Sequence, residues 1–119
     1  MVSLDLFDHP IPTVALQAGE TLFEAGDPGD CMYLVKAGEV EIRLGDRPIG
    51  TFGPGYLFGE MALISNEPRS ATVLAHTDCR LLAIDEERFL FLVQTTPYFS
   101  LRVMRVLADR LRNRTKDCA

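Results

Sequence analysis

Cysteine is scarce in this chain. Cys31, Cys79 and Cys118 are its only three, too few and too scattered for a disulfide framework or a zinc cluster. That usage points to a reducing, cytoplasmic setting. Cys31 and Cys79 sit in strand-like runs and are expected to be small core residues; Cys118 is expected to be an exposed thiol. Histidine is scarcer still. His9 and His76 lie far apart and outside any H-x-H pattern, so a small cupin-like metal enzyme would lack the clustered His and Glu ligands it needs. His76 falls in a turn and is expected at the surface; His9 precedes Pro10. No stretch approaches the ~20 consecutive apolar residues of a membrane span. The opening MVSLDLFDHP carries acids rather than a basic region before an apolar run, so no secretory signal is expected. Val2, and Cys118 second from the end, fit no lipidation motif. The chain has no G-x-S-x-G elbow, no Walker loop and no cysteine with an evident histidine partner. It is not expected to be an enzyme.

Basic charge is also missing from most of the chain. Residues 1–97 hold six basic and fifteen acidic residues, a net −9, whereas residues 98–119 hold six basic and two acidic, a net +4. An acidic body repels phosphate backbones, so direct nucleic-acid binding by the main domain is not expected. What is present is ordinary globular composition, 47% apolar and 24% charged. The 119 residues are read as a single domain, 1–119, long enough to bury roughly two thirds of their unfolded surface without staples.

From residue 12 to 85 short strands alternate with turn residues. Strands are expected at Thr13–Leu16, Thr21–Phe23, Cys31–Lys36, 39–44, Pro48–Phe52, Thr72–Ala75 and Arg80–Ile84, about eight in all. AGDPGD (25–30), Gly45-Asp46 and GPG (53–55) are the breaks. In EVEIRL (39–44), Val40, Ile42 and Leu44 share one face, and Glu39, Glu41 and Arg43 the other. The spacing predicts a sandwich or barrel-like roll over about 12–85. Then the period changes. Asp85 can cap a helix from Glu86 to Gln94, with Glu86 and Glu87 in its first turn. Thr96-Pro97 opens a second helix, 97–115. Leu101, Met104, Ala108 and Leu111 repeat along it at 3-4-3 spacing as a narrow apolar seam, with Arg102, Arg105, Arg110, Arg112 and Arg114 spread around. The plan is α+β.

Residues 58–73, FGEMALISNEPRSATV, interrupt the strands. FGEMALI reads as a short helix with Gly59 and Glu60 at its start. First-turn N–H groups lack internal partners and carry partial positive charge, which suits an anion. A glycine lets the backbone approach a ligand closely. Ser65–Pro68 turns the chain, and Arg69 opens the next strand, where its guanidinium can take a phosphate bidentately. Glu60 can accept from a sugar hydroxyl. The plainer alternative is that Glu60 sits in a first turn for dipole reasons alone, or that Glu60 and Arg69 pair with each other.

Phe58-Gly59-Glu60-Met61-Ala62-Leu63-Ile64, followed by Pro68-Arg69-Ser70-Ala71-Thr72-Val73, resembles the phosphate-binding cassette of the cyclic nucleotide-binding domain family. GDPGDCMYLVKAGEVEI (26–42), a turn and strand ending at Gly38, resembles that family's second hallmark. The resemblance covers about residues 12–115. It implies an eight-stranded antiparallel, jelly-roll-like β-roll with a short cassette helix and two C-terminal helices. It implies cAMP or cGMP as ligand, cAMP ahead of cGMP, and no resident cofactor. Arg69 would take the exocyclic phosphate oxygens, Glu60 the ribose 2′-OH, and the N–H groups near Met61 and Ala62, beside Gly59, the remaining phosphate contacts. Ser70 would add a hydroxyl near phosphate and base. Arg114 and Thr115 align with base-contacting positions of activator members, though Arg114 departs from the small polar residue found there.

In that family the last helix moves to cover the base. Here that is 97–115, whose seam is expected either to pack on the roll or to form a homodimer; its basic face is expected to be solvated or paired with the acidic body. The effector is left unidentified, and the helical segment many members place before the roll is represented only by Ser3–Phe7. Iron–sulfur sensors of the related activator superfamily need an N-terminal cysteine cluster that this sequence lacks. Beside the cupin-like enzyme, the alternative function is an interaction module that keeps the roll and binds no nucleotide.

Overall fold

The computed structural model describes residues 11–118, with side chains through Arg112. Ser3–Phe7 and His9, singled out above, lie outside the described residues, and Cys118 outside those whose side chains are described. The elements run β1 (Thr13–Leu16), β2 (Thr21–Phe23), β3 (Cys31–Ala37), β4 (Val40–Leu44), β5 (Arg47–Phe52), β6 (Leu57–Phe58), α1 (Glu60–Ser65), β7 (Thr72–Ala75), β8 (Cys79–Asp85), α2 (Glu86–Thr95) and α3 (Pro97–Cys118). The eight strands form two four-stranded antiparallel sheets, ordered β1-β8-β3-β6 and β2-β7-β4-β5, not closed into a barrel. This is the expected α+β roll. The strand without a predicted range is β6, whose Leu57 and Phe58 pair with Leu34 and Tyr33. Phe58 therefore ends a strand rather than opening the helix.

The first sheet is buried on both faces, which explains why its strands read as apolar runs without clean alternation. Tyr33 and Val35 of β3 and Cys79 and Leu81 of β8 face the inter-sheet core with Val40, Phe58, Val73 and Ala75. Met32 and Leu34 of β3 and Ile84 of β8 face the other way, onto Leu92, Phe89, Phe99, Val103, Val106 and Leu107 of the helices. The second sheet keeps one wet face. Its predicted inner row breaks at the tip: Val40 is buried, but Leu44 is 46% exposed. A register shift between Ile42 and Arg43 against β5 turns that end of the strand. Gly38 makes the tight β3–β4 turn at φ +78°, with Asp78 carbonyl and Cys79 too close for a side chain.

Asp85 caps α2 as expected, its carboxylate accepting from Arg88 N–H at 2.9 Å. Along α3 the face that meets the roll is Phe99, Val103, Val106 and Leu107. The predicted seam lies elsewhere: Leu101, Met104 and Leu111 are 39%, 58% and 65% exposed, so the expectation that this seam packs on the roll is not met. Two apolar stripes share the helix, and the β-branched and aromatic one wins the roll. No described helix is long and apolar enough to cross a membrane.

Candidate functional site

Arg69 is where the acidic body holds its buried cation. It precedes β7 by three residues rather than opening it. Two backbone bonds fix it, Arg69 N–H to Asp27 carbonyl at 2.8 Å and Gly26 N–H to Arg69 carbonyl at 2.7 Å. These tie it to the 25–30 turn, which sequence distance alone would not have joined to it. The side chain then runs inward and is only 7% exposed. Its guanidinium lies 4.3 Å over the Phe23 ring and 5.5 Å from the Tyr33 ring centre, favourable cation–π geometry. Nη1 donates to Gly59 carbonyl at 3.2 Å, and Nη2 faces Cys31 Sγ at 3.9 Å. Nε is buried without a hydrogen-bond partner. Among the described residues no carboxylate lies within ion-pair distance of it. A buried charge so placed is unfavourable until an anion joins it.

Two glycines make its slot. A Cβ at Gly29 would fall 2.3 Å from Arg69 Nε, and one at Gly59 would fall 2.6 Å from Nη1. Gly59 also caps α1 in the left-handed region, φ +80°, with no side-chain hydrogen bond to the helix start. The first-turn N–H groups of α1 are thus left without a protein side chain. Of the residues there, Ala62 is buried and Met61 is 42% exposed. Ser70 is exposed.

Glu60 does not pair with Arg69. It is 4% exposed and is bound instead by Arg110 of α3, whose Nη1 donates to its Oε1. Arg110 Nη2 also donates to Leu57 carbonyl, and its guanidinium lies 5.3 Å from the Tyr56 ring centre. Burial alone would lower the Arg110 pKa; the bond and charge of Glu60 outweigh it, and the net shift is upward. Arg102 donates to Gly55 carbonyl at 3.1 Å. The basic face of α3 is therefore partly engaged with the roll, not simply solvated. A floor of rings joins the two cations: Phe23, Tyr33 and Phe58, then Tyr56, stacked on Phe52 at 4.1 Å.

Sequence reasoning missed Arg110, Tyr56, Phe23, Tyr33 and Gly29. A signal for Arg110 was present: it continues the Val103, Leu107 row at 4-3 spacing, a charge in register with the packing face. Arg114 and Thr115 lie outside the residues whose side chains are described. His76 is exposed, as expected. Cys79 is in the core, but Cys31 is only partly buried and touches Arg69 rather than acting as inert filling. An open depression of about 460 Å³ lies against Leu16, Glu20, Asp78 and Arg80; it includes neither Glu60 nor Arg69, and its walls offer no comparable buried charge.

A buried guanidinium without a described carboxylate, a buried carboxylate held by Arg110, and a helix start without a side-chain cap meet at this end of the roll. The cyclic nucleotide-binding domain family model matches residues 13–96. The chain belongs to this family. It is 39% identical over 99 residues to the cyclic AMP receptor protein of Thermus thermophilus, covering 79% of this chain and 46% of that protein. It is 46% identical over 71 residues to a cAMP-dependent protein kinase regulatory subunit of Eremothecium gossypii, covering 60% of this chain and 16% of that one. The chain thus spans less than half the length of either. Among solved structures it is similar to Thermus thermophilus catabolite activator protein, with a TM-score of 0.81 and 35% identity, covering 90% of this chain and 53% of that one.

Proposed function

We propose that this chain is a single cyclic nucleotide-binding regulatory domain, a roll over about 12–85 with lid helices after it, that binds its ligand without turning it over. The observation that carries this is Arg69: nine-tenths buried, without a described carboxylate, with Nε unpartnered. A cyclic phosphate supplies the one negative charge it needs. Arg69 takes the exocyclic oxygens, and the N–H groups of Met61 and Ala62, beside Gly59, take the rest. Glu60 accepts from the ribose 2′-OH through the oxygen Arg110 leaves open, and Ser70 supplies a hydroxyl near phosphate and base. Arg114 and Thr115 are candidates for the base. cAMP stands ahead of cGMP because both curated relatives above are named for cyclic AMP.

Arg110 gives the coupling. It ties α3 to Glu60, so filling the site alters the hold on that helix. The outward seam of Leu101, Met104 and Leu111 supports a homodimer through 97–115. The effector is a partner or further domain, and the setting cytoplasmic.

Calorimetric titration of cAMP and cGMP tests this, after unfolding and refolding the protein to strip carried-over nucleotide. Micromolar or tighter binding of one of them is expected. Arg69→Ala should weaken it by ~3–5 kcal/mol, roughly two to three and a half decades. No heat from a folded, ligand-free sample refutes the assignment and leaves a roll that serves as an interaction module.

A further inference from the structure

We propose that Cys31 is an oxidation-sensitive thiol that gates the anion site: peroxide converts it to a sulfenic acid whose oxygen takes Arg69 Nη2 and excludes the cyclic phosphate. This rests on Arg69 being the phosphate ligand. Two structural observations meet at Cys31 Sγ. Sγ lies 3.9 Å from Nη2, loose for a hydrogen bond to sulfur and leaving room for an added oxygen to come within bonding distance. The guanidinium it faces is nine-tenths buried, carries an unpartnered Nε, and has no described carboxylate, so an oxygen acceptor is what it lacks. Burial, then the neighbouring Cys31, pushes the Tyr33 phenol up to about 12, so it stays protonated beside this thiol. Cys31 is partly exposed, whereas Cys79 is 4% exposed and its thiol is pushed up by burial and then by Asp78. The two thiols differ in access and in company.

The step balances. The Cys31 sulfur attacks one oxygen of hydrogen peroxide; the S–O bond forms, the O–O bond breaks, and hydroxide leaves and is protonated to water. Sulfur loses two electrons and peroxide gains them. A thiol reductant reverses it, releasing water and its own disulfide.

The test uses the full chain carrying Cys118→Ser, refolded and stripped of nucleotide, before and after hydrogen peroxide. A 1,3-diketone that traps sulfenic acids, read by mass spectrometry on a separate aliquot, should mark Cys31 and spare Cys79. Affinity for the preferred cyclic nucleotide should fall about tenfold or more, the worth of a charge-assisted bond, and return with a thiol reductant. Cys31→Ser, compared with its own untreated sample, should be indifferent to peroxide. The proposal is overturned if the untreated protein binds nucleotide and Cys31 takes no adduct. It is equally overturned if oxidised Cys31 leaves affinity unchanged, or if Cys31→Ser loses affinity alike. If the untreated protein binds neither cyclic nucleotide, the assignment of Arg69 fails and this proposal fails with it.

Discussion

The contact between Glu60 and Arg110 joins residues fifty apart and links the cassette to α3, so its strength can be measured by a double-mutant cycle. Glu60→Gln and Arg110→Met keep volume and remove charge. The side chains are 6% and 34% exposed. Exposed pairs contribute ~0.2–1 kcal/mol, and breaking a fully buried pair costs ~3–5 kcal/mol. With the carboxylate buried and the guanidinium one-third wet, about 2 kcal/mol of coupling is expected. Arg110→Met alone should cost more than the coupling, because it also gives up the Leu57 carbonyl and the Tyr56 ring. The cycle cancels those terms, since they are lost whether or not Glu60 is present. Urea denaturation of the four proteins, without ligand, gives the number. Additivity to within ~0.5 kcal/mol would mean that Arg110 merely lies near Glu60, and the coupling route from site to helix would be gone.

Other outcomes follow from the same geometry. Gly59→Ala places a side chain at φ +80° and against Nη1; it should cost about 1–2 kcal/mol and weaken nucleotide binding, and unchanged values in both urea and calorimetric assays would refute the slot. The folded state holds the Tyr33 proton more tightly than the unfolded chain, so that contribution is whole below pH ~10 and lost as pH rises through the folded value. In an absorbance titration Tyr33→Phe should remove the step near pH 12 and shrink the alkaline loss of stability; an unaltered curve speaks against it. Leu101→Glu with Met104→Glu should convert a sedimenting dimer to monomer without loss of helical signal, and a wild-type protein that sediments as monomer at high micromolar concentration removes the dimer.

Much of the roll was legible locally. Turn residues at 25–30, 45–46 and 53–55 mark the strand ends, and Asp85 before two glutamates marks the α2 start. β6 was not legible, because two residues carry no period and its partner is β3, over twenty residues away. In the candidate site, Gly59, Glu60 and Arg69 could be singled out because backbone approach, carboxylate and guanidinium lie within twelve residues of sequence. Their companions were not. Phe23 and Tyr33 read as strand aromatics, Gly29 as a turn glycine and Arg110 as one arginine among five.

The sequence by itself determined which residues strand, turn and cap, because those choices depend on side-chain shape and backbone freedom within a few positions. It also supplied the charges of the site. Only the tertiary structure decided who pairs with whom. Burial made Glu60 need a cation, and α3, docked through Phe99, Val103 and Leu107, delivered Arg110 to it. Arg69 was thereby left on an aromatic bed beside Cys31, without a described acid. Pairing across fifty residues depends on which helix face wins the roll, and that contest is settled by packing the whole core at once.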